Sequence, residues 1–366
     1  MRRRVVLLTV VSVLVLYTAV LASRLEPRAS GAALGALTAA AFGAMISWLF
    51  AYHARPALAA KAWFRAAAWA GAAAMGLWAT FVLVSIPVGV LAAWRGGFTP
   101  RAWALVLAAS ALASAAGLAQ ALTGPRLREA TVPVPDLPPA LEGLKIAQLS
   151  DLHAGLAIRR AQVGEMVTRV LALSPDLIAV TGDLADGDAA GLAAEIAPLA
   201  RLKAPLGVYF VTGNHEYYWG VNPWLSAVRG LGLRVLLDES VSVSRGGASV
   251  QVAGVCDPQG RYFEPSHKGK LPKADPSAAA RILLSHRPDP APAAAAAGYH
   301  LQLSGHTHGG QFFPFSVLVR LAHRHLAGLS REGAMSVYVN TGTGWWGPPH
   351  RFGVPAEITL LRLTRA

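Results

Sequence analysis

The chain has 366 residues, a formal net charge of +13 and only 14% charged side chains, with a mean hydropathy of +0.41. That hydropathy excludes an ordinary water-soluble chain. The charge does not argue for a nucleic-acid partner either: residues 1–125 hold ten basic residues against one acidic one, Glu26, whereas residues 126–366 hold 23 basic and 19 acidic ones, so no dense basic stripe is expected there.

Four uncharged apolar runs open the chain, residues 5–23, 31–52, 66–94 and 102–125, each of 19 to 29 residues. About 20 apolar residues in a helix cross the hydrocarbon core of a bilayer. Residues 1–125 therefore read as an anchor of about four transmembrane helices. Lys and Arg in the short flanks set the orientation. Residues 2–4, 53–65 and 126–128 carry eight of them, and the opposite flanks carry four, Arg24, Arg28, Arg95 and Arg101. The protein is thus expected to be a multi-pass membrane protein with its N-terminus and its C-terminal domain in the cytoplasm. The lone cysteine, Cys256, excludes an intrachain disulfide and fits that compartment. Residues 126–143 include Pro133, Pro135, Pro138 and Pro139 and read as a proline-stiffened linker.

Residues 144–366 alternate strand and helix patterns. Strands are expected at 144–150, 177–181, 207–212 and 281–284, with helices at 158–173, 191–202 and 224–231. Closely spaced strands follow at 233–237, 241–244 and 249–255, and late ones at 335–340 and 357–363. Continuous apolar strands separated by helices predict an α/β layered fold. A further strand-like stretch is 299–303, and five strand ends carry polar clusters: Asp151-Leu152-His153, Gly182-Asp183, Gly213-Asn214-His215-Glu216, Ser285-His286 and Gly305-His306-Thr307-His308. His306 and His308 follow an apolar stretch, and residues i and i+2 of a strand point to one side, so both imidazoles are expected to reach toward one point. Asp and Asn at a strand end also serve as helix caps and turn formers. Five ends in a row with seven N/O ligands besides His215 favour metal binding instead. Seven are too many for one tetrahedral zinc. Two divalent ions sharing a carboxylate would use them all, and the mixed donors suit manganese, iron or zinc.

The ordered motifs D-L-H, G-D-L, G-N-H-E, S-H and G-H-T-H resemble the calcineurin-like metallophosphoesterase superfamily over residues 144–363. Residues 213–220, 304–314 and 340–349 look like the branch called transmembrane protein with metallophosphoesterase domain, and like YkuE-type phosphoesterases. The resemblance implies a four-layer α-β-β-α sandwich. It implies that Asp151, His153 and His308 hold one metal and that Asn214, His286 and His306 hold another. Asp183 would bridge them, and His215 would act on the substrate as the catalytic residue. The implied activity is hydrolysis of a phosphate ester (diester, pyrophosphate or monoester) by a metal-activated hydroxide.

Residues 311–321 are apolar and nearly uncharged, fit either for core packing or for a lip facing lipid. Tyr217, Tyr218, Trp219, Trp345 and Trp346 are candidates for the walls of a substrate pocket, Tyr217, Trp345 and Trp346 foremost. Residues 340–344 read as a turn offering backbone amides to the site. Tethering to the bilayer points to a lipid-linked or amphipathic phosphate ester as substrate, with no nucleic acid expected. The competing expectation is a membrane transporter or scaffold whose metal-binding domain is regulatory.

Overall fold

The computed structural model describes residues 61–94 and 99–366. The first two apolar runs and their flanking arginines lie outside the described residues. The other two runs are helices, α1 (Ala62–Trp94) and α2 (Pro100–Leu122). Both are long and apolar enough to cross a membrane, over Ala62–Leu91 and Ala104–Leu122. The chain divides into two compact units, and the first comprises Met1–Gln120 with Phe313–Phe315 and Gly347–Phe352. Small residues bring the backbone elements of this unit close. A Cβ at Gly117 would lie 1.8 Å from Nδ1 of His350, whose Nε2 is 2.8 Å from the Thr80 hydroxyl. A cavity of about 280 Å³ is lined by Gly76 and Leu77 of α1, Ala111 and Ser114 of α2, and Pro348 and His350.

The second unit, Ala121–Phe312 with Ser316–Trp346 and Gly353–Ala366, is built on two six-stranded sheets. The first sheet contains β1 (Arg126–Val134), β2 (Lys145–Leu149), β3 (Leu177–Val180), β4 (Val208–Phe210) and β5 (Arg234–Val235). The second contains β6 (Glu239–Arg245), β7 (Ala248–Val255), β8 (Ala280–Ser285), β9 (Leu301–Ser304), β10 (Gly328–Glu332) and β11 (Met335–Val339). The last strand, β12 (Glu357–Arg365), returns to the first sheet, so the orders are β1-β12-β2-β3-β4-β5 and β10-β11-β9-β8-β7-β6. The strands β2 to β5 run parallel, as do β7, β8, β9 and β11. Ile146, Leu177, Tyr209 and Leu361 of one sheet and Val250, Ile282, Leu301 and Tyr338 of the other form a single core.

Helices cover the outside of this sandwich. Val163, Met166, Val167 and Val170 of α3 (Arg160–Ala172) are buried at helical spacing. Next come α4 (Ala189–Ile196), the short α5 (Asn214–Tyr218), α6 (Val221–Gly230) and α7 (Gly260–Phe263). On the far side, α8 (Ala291–Ala296) packs Ala291 and Ala294 against Val255, Leu283 and Val337. The last helix is α9 (Phe315–Ala322).

One expectation is corrected. Residues 126–134 are extended, as their prolines imply, but they are no linker: β1 pairs in parallel with β12 along its whole length, and the second unit begins at Ala121. Pro133 is tolerated because β1 is an edge strand, where a missing N–H costs nothing on the open side.

Candidate metal centre

Parallel strands expose their carboxyl ends to the loops that follow them, and in open α/β sheets ligands collect there. Here β2, β3, β4, β8 and β9 each hand the chain to one polar cluster. The backbone turns hard at these points. Asp151, His153, Asp183, His306 and His308 all have φ between 49° and 68°. Left-handed backbone costs a non-glycine residue about 1–2 kcal/mol, and such strain collects at functional sites. Neighbouring loops hold it in place. Asp151 N–H donates to Gly182 O at 3.0 Å, His153 N–H to Asp183 O at 3.1 Å and Ala154 N–H to Leu184 O at 2.9 Å.

The side chains converge as groups of carboxylate oxygens and imidazole nitrogens. In the first, Nε2 of His308 is 3.3 Å from Asp151 Oδ1 and 3.1 Å from Nε2 of His153. In the second, Nε2 of His286 is 3.2 Å from Asp183 Oδ2 and 3.2 Å from Nδ1 of His306. Oδ2 of Asp183 also lies 3.9 Å from Nε2 of His153, so this carboxylate faces both groups. Two ligands each about 2.1 Å from one ion, at right angles, stand about 3 Å apart. The observed spacings therefore fit divalent cations. Nδ1 of His286 donates to Thr181 O at 2.8 Å, which fixes the ring and turns Nε2 toward Asp183, as the outer bond of a metal-binding imidazole does.

Asn214 opens α5, and its flanking residues both touch Asp183. His215 N–H donates to Asp183 Oδ1 at 2.9 Å. A Cβ on Gly213 would lie 2.1 Å from that same oxygen, so only glycine fits there. The Asn214 amide oxygen accepts from Arg287 at 3.4 Å, and Arg287 is held by the buried Asp257 at 2.7 Å. Gly305 plays a similar part to Gly213: its Cβ would lie 2.1 Å from Asp151 Oδ2.

His306 and His308 do not reach toward one point. The strand ends at Ser304, and both histidines sit on left-handed backbone, where the two-residue period of a strand no longer holds. They divide between the two groups. Residues 340–344 also differ from expectation. Thr343 N–H donates to Ser150 O at 2.7 Å and Gly344 N–H to Asp151 O at 3.0 Å, while Gly342 N–H donates to the Asn340 side chain at 2.7 Å. The amides of Thr343 and Gly344 orient the Asp151 loop.

Two residues were missed in the sequence. Asp186 lies between His153 and His215, with Oδ1 3.0 Å from one Nδ1 and 2.5 Å from the other. Glu216 is buried, and its carboxylate accepts from the backbone N–H of Asp183 (3.1 Å), Leu184 (2.8 Å) and Gly213 (2.6 Å). Burial and the charge of Asp183 push its carboxyl up to about 7, against the backbone donors. The signal for Asp186 was its place three residues after Asp183, which a tight turn brings back to the same side. Glu216 had the spacing of a capping box behind Gly213.

Burial alone would raise Asp151, Asp183 and Asp186. The imidazoles beside them prevail: His308 holds Asp151, His286 holds Asp183 and His153 holds Asp186 well below the usual carboxylate range. The carboxylates of Asp151 and Asp183, which face the two groups, are thus already ionised. Burial lowers His215, but Asp183 and Asp186 overcome it and raise the imidazole to about 9. His286 is raised to about 10 by Asp183 against its burial. His306 is held down by burial and by His286.

His215, His306 and His308 are the imidazoles of the centre that reach solvent, whereas His153 and His286 do not, so these three mark its open side. Trp346, half exposed, stands edge-on to His215 at 6.2 Å, and Tyr218 lies 5.5 Å from the same ring. Gln311 fixes Trp346 by two bonds to its backbone, at 2.7 and 2.9 Å. Tyr217 is 2% exposed and Trp345 7%. The Tyr217 hydroxyl lies 3.1 Å from the Thr212 hydroxyl and 2.9 Å from Nδ1 of His267. The structure therefore places Trp346 and Tyr218 at the mouth, and Tyr217 and Trp345 in the interior.

A model of the calcineurin-like phosphoesterase family matches residues 144–310. The transmembrane protein with metallophosphoesterase domain of Bos taurus is 38% identical over 277 residues, which cover 72% of this chain and 62% of the cattle protein. The chain thus spans less than two thirds of that relative's length. The metallophosphoesterase YkuE of Bacillus subtilis is 30% identical over 235 residues, 62% of this chain and 81% of its own. An uncharacterized metallophosphoesterase of Aquifex aeolicus is 36% identical over 245 residues, 65% of this chain and 91% of its own. Agreement along nearly all of a relative, in a fold whose strand ends carry the expected donors, settles the kinship: this chain belongs to the calcineurin-like phosphoesterase family, and its second unit is a metal-dependent phosphohydrolase domain.

Proposed function

We propose that the whole protein is a membrane-anchored phosphoesterase that uses two divalent ions, manganese, iron or zinc, to hydrolyse a phosphate ester. The supporting observation is the position of Asp183, whose carboxylate faces His153 on one side and His286 on the other. Asp151, His153 and His308 would hold one ion, and Asn214, His286 and His306 the other, with Asp183 shared. Ions held there supply an activated water and neutralise charge on the phosphoryl oxygens.

The remaining steps belong to the chain. Nδ1 of His215 faces the Asp186 carboxylate, which favours a protonated ring, so His215 can protonate a leaving oxygen or bind the phosphoryl group. Asp186 fixes its ring. Trp346 and Tyr218 flank the leaving side and favour a substrate with an apolar or planar group. Anchoring through apolar helices favours an ester carried by a lipid, with the domain on the cytoplasmic face. A reporter fused at Ala366 that works only outside the cytoplasm would refute that orientation.

The test is hydrolysis of bis-p-nitrophenyl phosphate and p-nitrophenyl phosphate by the purified protein, across Mn, Fe, Zn and Mg. Hydrolysis is expected with at least one metal. Asp183→Ala should abolish it and strip the metals. His215→Ala should lower kcat about 10²–10⁴-fold with metal content unchanged. Silence toward both esters under every metal, or metal loss in His215→Ala, would sink the proposal.

A further inference from the structure

The helix α9 is amphipathic in the opposite sense to a helix packed on a soluble core. At 3.6 residues per turn, Val317, Leu318 and Leu321 share one side, Ser316 lies on the opposite one, and Arg320 falls between them at the edge of the stripe. The Ser316 side faces the protein: a Cβ built on Gly310 would lie 2.3 Å from Cα of Ser316. Val317, Leu318 and Leu321 are exposed, Leu321 by 83%, and no residue of the helix is buried. A surface helix ordinarily turns its apolar stripe inward, whereas this one presents it outward. A contiguous exposed apolar face marks a partner or a membrane.

Three observations choose the occupant. Phe313, also exposed, and Phe315, the first residue of α9, belong to the compact unit that contains α1 and α2. Those two helices are the candidate spans, so the chain enters α9 directly from the apolar unit. Arg320 and Arg324 are exposed beside the stripe, where long cationic side chains reach lipid phosphates while their stems stay in the apolar layer. Lastly, the helix leads to the reactive centre, since the ring of His323, just past its end, lies 6.4 Å from that of His306.

We infer that α9 lies in the boundary between headgroups and acyl chains of the bilayer, with Val317, Leu318 and Leu321 immersed in lipid, and that it admits an amphipathic phosphate ester from the membrane to the His306 side of the metal centre. The occupant is the lipid surface. Because this takes the metal centre as the reaction site, as proposed above, docking and delivery are tested separately.

Docking is read by fluorescence with the full chain in vesicles of phosphatidylcholine and phosphatidylglycerol. A bimane label is placed at Leu321→Cys and, as a control, at the exposed Ser277→Cys. Cys256 is buried and stays unlabelled. Lipid carrying a shallow doxyl group should quench the Leu321 label several-fold more than the Ser277 label, and aqueous iodide should do the reverse. Equal access of iodide to both positions overturns the inference. So does a Leu321 label shielded from both quenchers, which would mean that a second copy or another protein covers the helix.

Delivery is read with Leu318→Ser combined with Leu321→Ser. Hydrolysis of a phospholipid ester in vesicles should fall at least tenfold, while hydrolysis of soluble bis-p-nitrophenyl phosphate stays unchanged. Loss of both activities together, or of neither, refutes delivery. A wild-type protein silent toward both esters refutes the phosphoesterase proposal and the delivery step with it. The quenching result still decides docking.

Discussion

At the scale of single residues, the proposed roles of two histidines rest on one carboxylate. Asp186 lies against Nδ1 of His153 and of His215 at once, so it would orient both the proposed metal ligand and the proposed acid. Partners of that kind change metal affinity or activity about 10–100-fold when removed. Asp186→Asn should therefore lower kcat by about that factor, while mass spectrometry still finds metal and the fold keeps its melting temperature. An unchanged kcat would make Asp186 a bystander. Far from the centre, His300 offers a test of pH. Burial, then the charge of Arg281, lowers its imidazole to about 4, and its Nδ1 accepts the backbone N–H of Arg281 at 3.3 Å. The unfolded chain takes up the proton near 6.5 and the folded chain only near 4. The stability that His300 contributes is thus full above pH 6.5 and is lost as pH falls toward 4. Melting curves of the wild type and of His300→Gln should converge over that window from the neutral side. Parallel curves would contradict the assignment.

At the scale of elements, Glu216 ties the loop after β3 to the turn that opens α5. Its two oxygens take three backbone N–H groups, each worth about 1 kcal/mol and more when left orphaned in the interior. Glu216→Ala should cost about 3 kcal/mol, which for a domain of this size lowers the melting temperature by roughly 6–12 °C. Glu216→Gln should restore little, because an amide nitrogen would face an N–H donor. A shift within 2 °C, by differential scanning fluorimetry, would show that water replaces these bonds. Element boundaries were legible where an apolar period was strong: α3 and the parallel strands β2, β3, β7 and β8 fall within two residues of expectation. They were illegible where the partner is remote. The strand β1 carries prolines that read as linker, and only β12, more than 200 residues later, makes it a strand.

At the scale of the whole molecule, two ligand groups assembled from five loops should make stability depend on metal. The left-handed residues cost energy in folding, and an ion bound only by the folded state returns some of it. At a free concentration 100 times Kd that return is about 2.7 kcal/mol per ion. Chelation should lower the melting temperature of the second unit, and Asp183→Ala should abolish the difference between treated and untreated samples. A melting temperature indifferent to chelator would mean that no ion is held at all.

The residue types and their order were enough to establish the layered α/β class, the five polar strand ends, the seven ligand candidates and the apolar runs at the front, because each rests on local composition or on a period of two or 3.6 residues. The family resemblance, not any local pattern, implied which ligand joins which group, and the tertiary structure separates His306 from His308 in the same way. Only the tertiary structure drew Asp186 and Glu216 into the centre, buried Tyr217 and left Trp346 at the mouth. It also turned the apolar side of α9 outward. All of these depend on contacts between residues far apart in the chain and on left-handed turns, and no local pattern encodes either.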